Sequence, residues 1–276
     1  MDINKRVDIA VINLERRPDR MEYLHKNSPV PFRRFPAIDG QNLSSVYYDF
    51  PDLLDTVRDQ QRVLGEVGCS LSHYSLWKHH AERPNADFLL VFEDDVMFSE
   101  HTLERFKTTV DDIQTNTVDF DVLYVGGQWT PDYDIDGAIS PYFQFQKTTH
   151  QTLDTHYRKS LATGIYKRRN LSPAVIQGGR NVWFSPLFRT AGAYIVSQRG
   201  AKRLLDAVET DTALFMKTPL DMWLLEMDFR GYVQSFDRLP HPFYQAGFEM
   251  VREPSHAQND IHRSNFQTVI LPPMRS

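Results

Sequence analysis

The stretch LLVFEDDVMF, Leu89 to Phe98, constrains the fold more tightly than any other part of the chain. Its aliphatic half reads as a buried strand, yet it runs into three consecutive carboxylates, Glu93, Asp94 and Asp95, before turning apolar again. Adjacent ionised carboxylates repel and lose hydration when buried, so a fold accommodates them only where they reach solvent, exchange protons or meet a cation. If Leu89 to Asp95 is a strand, side chains alternate faces, and Glu93 and Asp95 point one way with Asp94 opposite. Two readings stay open on this motif alone. One is an oxygen-rich site for Mg²⁺ or Mn²⁺, and the other is a solvated strand end beside a helix start.

The segments around this strand indicate its neighbours. VDIAVINL, Val7 to Leu14, has the β-branched content of a central strand, and RPDRMEYLHKN after it reads as a helix. FRRFPAIDG, Phe32 to Gly40, reads as a second strand closing at an Asp-Gly turn. GEVGCSLSHYSLWKHHAER, Gly65 to Arg83, has a helical pattern with Val67, Leu71 and Tyr74 on one face and small Gly68, Ser72 and Ser75 on another. Small side chains at that spacing admit either a packed neighbour or a ligand close to the backbone. EHTLERFKTTVDDI follows as a helix, DFDVLYVGG as a strand, AGAYIVSQRGAKRLL as a strand from Gly192 to Val196 and a helix from Gln198, and TPLDMWLLEMDFRG as a helix with Thr218 as N-cap and Pro219 as first residue.

Strands alternating with helices at this spacing predict an α/β fold, one domain over residues 1–276 with 128–181 as an elaborated insertion. The tail from Ser255 onward has little apolar periodicity and suits wrapping the body or closing over a site.

Composition narrows the function classes. With 41% hydrophobic and 24% charged residues the chain is expected to fold throughout, and a formal net charge of -5 gives it no bulk attraction for nucleic acid or anionic membrane. The single cysteine, Cys69, excludes an intramolecular disulfide and is expected as a buried small hydrophobe. The N-terminal apolar stretch is interrupted by Asp8 and Asn13, unlike a signal peptide, and no apolar run approaches a membrane span, so a cytoplasmic location is expected. Walker, HExxH and dinucleotide glycine motifs are absent from the sequence.

In order, VINLERRPDR, AIDG, GEVGCSLSHYSLWK, LLVFEDDV, AGAYIVSQRGAKRLL and TPLD resemble glycosyltransferase family 25, over roughly Val7 to Asp221. The resemblance implies a GT-A-type, Rossmann-like nucleotide-sugar-binding sheet flanked by helices, a UDP-sugar donor and a divalent metal, Mn²⁺ or Mg²⁺, at the acidic motif. On that reading Asp95 is the first metal ligand, with Glu93 or Asp94 as its companion. Alternation favours Glu93 for the metal and leaves Asp94 toward the donor. Asn13, Arg16, Arg17 and Arg20 match the first motif, where guanidinium forks suit a diphosphate, although pairing of one arginine with Asp19 is an equal use for it. Asp39 and Gly40 fall near the nucleoside or form a structural turn. Ser72 lets the donor approach, and His73 serves as a ligand contact or a hydrogen-bonded core residue.

Known family members invert the anomeric centre, which requires a base on the acceptor hydroxyl. Asp221 resembles the late family aspartate and is the candidate base, its other use being helix capping or pairing with an arginine; Glu226 and Asp228 are weaker candidates. Many GT-A enzymes add a C-terminal histidine to the metal, and His241, His256 and His262 are available here, with His256 the choice.

The expected reaction moves a hexose, galactose first and glucose second, from a UDP-sugar to a hydroxyl on a glycan or modified macromolecule. Trp129, Tyr133, Tyr142, Tyr157, Trp183 and Phe184 offer platforms for acceptor sugars or ordinary packing. Lys167, Arg168, Arg169 and Arg180 form a basic neighbourhood compatible with an anionic acceptor, nucleic acid included but not favoured, or with a solvated loop. A metal-dependent phosphoester or nucleotide-sugar hydrolase and a noncatalytic sugar-nucleotide-binding protein are the alternatives.

Overall fold

The computed structural model describes residues 6–58, 60–82, 86–114, 119–128, 165–167, 174–176, 180–182, 191–238, 242–245 and 267–268. The chain opens with β1 (Val7–Asn13), α1 (Pro18–Asn27) and β2 (Arg33–Pro36). A 3-10 segment (Gly40–Asp49), α2 (Pro51–Asp55), β3 (Gln61–Arg62) and α3 (Leu64–Glu82) lead to β4 (Phe88–Glu93) and β5 (Val96–Met97). Then come α4 (Thr102–Gln114), β6 (Val122–Tyr124), β7 (Gly126–Gln128), β8 (Ile165–Lys167), β9 (Ala174–Ile176), β10 (Arg180–Val182) and β11 (Ala193–Ser197). The last described elements are α5 (Gln198–Thr210), α6 (Thr212–Lys217), α7 (Leu220–Arg230), β12 (Ser235–Arg238), β13 (Phe243–Gln245) and β14 (Gln267–Thr268).

The central sheet runs β2-β1-β4-β11-β6-β12-β8. β1 pairs in parallel with β2 on one side and β4 on the other, while β11 is antiparallel to both β4 and β6. After β1 the chain lays down β2 on one flank and later β4 on the other, so a crevice opens at the carboxyl ends of β1 and β4, the place where open α/β sheets bind ligands. A smaller sheet, β5-β13-β7, forms where the chain leaves β4 and β6.

Two cores lie against the central sheet, and strand alternation sorts residues between them. Val7, Ile9 and Val11 of β1, with Leu90 and Phe92 of β4, join Met21 and Leu24 of α1 and Phe106, Val110 and Ile113 of α4. Ala10 and Ile12 of β1, with Leu89 and Val91 of β4, join Val67, Leu71 and Trp77 of α3, Phe215 of α6 and Trp223 of α7. Continuing the pattern puts Glu93 on the α3 side and Asn13 on the α1 side.

The expected α/β layering is observed, with local differences at element ends. The strand expected to reach Asp95 stops at Glu93, and Asp94 and Asp95 form a turn into β5, which releases their side chains from the ladder. Pro219 is the N-cap of α7, not its first residue, and Thr218 lies before it in extended conformation. Residues 165–167, inside the expected insertion, pair with β12 as the edge strand of the central sheet. From the tail, β14 returns to pair with β3, just ahead of α3. No helix among the described residues is long and apolar enough to cross a membrane.

The small face of α3 is used for close packing. A Cβ on Gly68 would lie 2.5 Å from the Ile38 carbonyl oxygen and 2.7 Å from the Gly40 nitrogen, and one on Gly40 would overlap the Leu64 carbonyl. Ser72 Oγ accepts from the Ile38 N–H at 2.8 Å and donates to the Gly68 carbonyl at 2.6 Å. Alanine in place of glycine inside an exposed helix stabilises by about 1 kcal/mol. Here Gly68→Ala should reverse that sign and destabilise by about 2 kcal/mol, because backbone cannot yield as a side chain does. Urea unfolding of the two proteins checks this, and a more stable Gly68→Ala would show that the packing is loose.

Candidate functional site

Asn13, at the end of β1, donates through Nδ2 to Asp94 Oδ2 at 2.7 Å and to the Arg17 carbonyl at 3.0 Å. Its Oδ1 accepts from Arg34 Nε at 2.9 Å. Arg20, on the first turns of α1, forms an ion pair with Asp94, and both residues are 8% exposed. The Asp94 carboxylate is thus engaged on the α1 side by one cation and one amide. Burial pushes its pKa above the usual carboxylate range, with Arg20 and Asn13 opposing that push.

Glu93 and Asp95 turn to the other side. Gln245, the last residue of β13, donates from Nε2 to Glu93 Oε2 at 2.9 Å and to the two Asp95 oxygens at 3.2 and 3.1 Å. Its amide NH₂ therefore bridges both carboxylates. Burial, reinforced by Glu93, raises the Asp95 pKa to about 7. The alternation expected of the three acids holds through the turn.

Helix α3 supplies the wall opposite β4. His73 is fully buried, with Nδ1 2.7 Å from Tyr194 Oη, and that hydroxyl accepts from Trp77 Nε1 at 2.8 Å. His73 Nε2 lies 3.4 Å from Glu93 Oε1, within ion-pair range but without hydrogen-bond alignment. Cys69 packs partly against the α3-side core, as a small hydrophobe would, but its Sγ also lies 3.7 Å from Glu93 Oε1. Burial first, then the Glu93 charge, pushes that thiol's pKa well above its usual value.

These groups line one pocket at the carboxyl ends of β1 and β4. Its walls are Arg16, Arg20, Asp39, Gly40, Ser72, His73, Cys69, Glu93, Asp94 and Asp95, with Ile12 and Leu14 among the apolar surface. Arg16 Nε donates to Asp39 Oδ2 at 2.8 Å, while Asp39 Oδ1 caps the 3-10 segment by accepting from the Gln41 N–H at 3.0 Å. Cationic and anionic walls facing one cleft can take a phosphate-bearing ligand together with a divalent cation.

Several sequence expectations are redirected by these contacts. Arg17 forms a two-pronged pair with Asp19, at 2.9 and 2.7 Å, and is not part of the pocket lining. Asn13 supports Asp94 and Arg34 instead of lining the cleft. The Ser72 hydroxyl is committed to backbone groups of the 38–40 loop and α3, although the residue lines the pocket. Glu226 pairs with Arg230 at 2.7 Å, and Asp228 accepts from the Ser235 N–H at 3.0 Å, so both serve helix α7 and its exit. Asp221 lies in the first turn of α7, accepts from the Met222 N–H at 2.8 Å, and is near enough to raise the Cys69 pKa electrostatically.

His241, His256, His262, Trp129, Tyr133, Tyr142, Tyr157, Trp183, Phe184, Arg168 and Arg169 lie outside the described residues. Lys167 and Arg180 fall on β8 and β10.

Gln245 and Tyr194 are the site residues that sequence reasoning did not single out. HPFYQ carried no charge pattern to separate Gln245 from a loop amide, and Tyr194 sat in an apolar strand. The available signal for Tyr194 was a hydroxyl in a run otherwise bound for the core, which demands a buried partner.

Comparison with known proteins places the chain in a family. The family profile described as Glycosyltransferase family 25 (LPS biosynthesis protein) matches residues 7–223. Procollagen galactosyltransferase 1-A of Xenopus laevis is 26% identical over 250 residues, covering 87% of this chain and 33% of the relative. Probable inactive glycosyltransferase 25 family member 3 of Bos taurus is 32% identical over 250 residues, with the same coverage of 87% and 33%. Procollagen galactosyltransferase 2 of Homo sapiens is 30% identical over 128 residues, 43% of this chain and 20% of the relative. The chain thus spans about a third of the length of the first two relatives. With the profile match running from the first strand into the helix that carries Asp221, the chain belongs to glycosyltransferase family 25.

Proposed function

We propose that the protein transfers a hexose, galactose first and glucose second, from a UDP-sugar to a hydroxyl on a glycan or modified macromolecule. The observation that carries this reading is the pairing, in one cleft at the ends of β1 and β4, of arginines on one wall with half-buried Glu93 and buried Asp95 on the other. Membership of the family and the relatives named procollagen galactosyltransferase support the choice of sugar.

The acidic pair fits a hard divalent cation. Two carboxylates share one neutral amide donor, and burial together with Glu93 outweighs the Arg20 charge and raises Asp95 to about 7, so the pair is short of neutralising charge. Glu93 and Asp95 would hold Mn²⁺ or Mg²⁺, with His256 as a further candidate ligand; when bound, the ion supplies Lewis-acid stabilisation of the diphosphate. On this reading Arg16 and Arg20 would bind phosphate oxygens, and Asp39 and Gly40 would meet the nucleoside. Asp221 takes the acceptor proton as the acceptor oxygen attacks C1; the C1–O bond to UDP breaks, UDP leaves, and the anomeric configuration inverts.

A second reading, donor binding without turnover, is favoured by the relatives named inactive. Titration of the metal-stripped protein with UDP-sugars should show binding of one sugar at least tenfold tighter with Mn²⁺, and Asp95→Ala should abolish the metal effect. Donor binding with no UDP release in the presence of glycan acceptors would select the second reading. Binding of none of the UDP-sugars would overturn the donor. If Asp221 is the base, Asp221→Asn should lower kcat by at least 100-fold while leaving donor affinity within about threefold.

The Asp95 carboxyl also ties stability to pH. Its folded pKa of about 7 exceeds the ordinary 3.8, so between these values the native state holds a proton that the unfolded chain has lost. Stability from this group is therefore present at low pH and falls as pH rises through 7. His80, lowered to about 4 by burial, acts oppositely below pH 6.5, so the comparison must be made against a variant. Relative to wild type, metal-stripped Asp95→Asn should gain about 1–3 kcal/mol on going from pH 5.5 to pH 8. Denaturant unfolding at the two pH values measures it, and parallel curves would refute the protonated acid.

A further inference from the structure

Helix α3 brings a second kind of ligand chemistry to the same wall. Cys69 and His73 are one turn apart, so both face β4, and both approach a single oxygen of Glu93. Cys69 Sγ is 3.7 Å and His73 Nε2 is 3.4 Å from Glu93 Oε1, and the three ligand atoms all lie within 4.8 Å of one another. Tetrahedral Zn²⁺ with its usual bond lengths sets a thiolate sulfur about 3.5 Å and an imidazole nitrogen about 3.3 Å from a carboxylate oxygen. The two separations from Glu93 Oε1 differ from these values by only tenths of an ångström.

A buried polar atom pointing into this cluster supplies a second, independent observation. His73 is fully buried, yet its Nε2 has no hydrogen-bond partner, although burying such a group unsatisfied is unfavourable. Its other nitrogen is held by Tyr194 Oη, which is fixed in turn by Trp77. In the tautomer that carries its proton on Nδ1, His73 donates to Tyr194 and its Nε2 lone pair faces Glu93. Metal-bound histidines have this outer support, which sets ring orientation and tautomer.

We propose that Cys69, His73 and Glu93 form a site for a thiophilic divalent cation of the Zn²⁺ class, different in donor set from the Glu93–Asp95 oxygen pair. Binding releases the thiol proton to solvent and forms a sulfur–metal bond; no electron is transferred. Glu93 belongs to both donor sets, so a cation in the sulfur site withdraws it from the oxygen pair and competes with Mn²⁺. Only that competition rests on the proposed function; the ligation does not.

The test is titration of the reduced, metal-stripped full chain with Co²⁺, read by absorption. Thiolate-to-cobalt charge transfer in the near ultraviolet and intense visible bands of tetrahedral Co²⁺ should appear, saturate at one ion per chain and vanish on adding equimolar Zn²⁺. Both should be lost in Cys69→Ser, a near-isosteric change whose fold is checked by circular dichroism and melting temperature, and retained in Asp95→Asn. Absence of the charge-transfer band in wild type, or its persistence in Cys69→Ser, overturns the site. A band without UDP-sugar binding removes only the donor reading, and Mn²⁺-dependent donor binding without a band removes only the sulfur site.

Discussion

Arg20 and Asp94 meet as ions where neither is a tenth exposed, and the geometry of the cleft follows from that contact. Stripping water from two charges costs several kcal/mol per ion, so such a pair persists only when further hydrogen bonds complete it. Asn13 completes it on the carboxylate. The three residues join the first turns of α1 and the ends of β1 and β4 into one unit. Because Asp94 is neutralised from the α1 side, the remaining two acids, Glu93 and Asp95, are left to the cleft. Three consecutive carboxylates are thus tolerated by dividing them between an internal cation and a shared pocket.

The opposite wall depends on a different force, close packing without side chains. Gly68 and Ser72 let α3 lie against the backbone of the 38–40 loop, which holds Asp39 and Arg16 at the rim and brings Cys69 and His73 against Glu93. A bulkier helix face would move both walls apart. Stability and ligand chemistry are therefore coupled through the same contacts, since the residues that fix the helix also set the separation of the polar groups. Gln245 adds a third constraint, tying the small β5-β13-β7 sheet to the acids by an amide where a cation would be accommodated.

Much of this was legible before any coordinates. Periodicity placed β1, α1, α3, β4, α4, β11, α5 and α7 to within a few residues, because each carries a recognisable apolar pattern with polar or turn residues near its ends. Alternation separated Asp94 from Glu93 and Asp95. It did not show that β4 stops at Glu93, because Val96 and Met97 resume the apolar run after the acids and only their pairing with β13 reveals a second sheet. Among the arginines, Arg17 and Arg20 are equivalent by motif. They diverge because Arg17 folds onto Asp19 two residues away, while Arg20 reaches Asp94 across 74 positions.

By itself the sequence determined which residues could be strands or helices, which acids share a face, and where a cationic loop follows the first strand. These are local consequences of 2.0- and 3.6-residue periods. Only the tertiary structure decided which polar groups meet: Gln245 with Asp95, Tyr194 with His73, and Cys69 with Glu93. Those partners are between 24 and 150 residues apart in the chain. Their encounter depends on the order of strands in the sheet and on how closely α3 approaches it, and neither is encoded in any single segment.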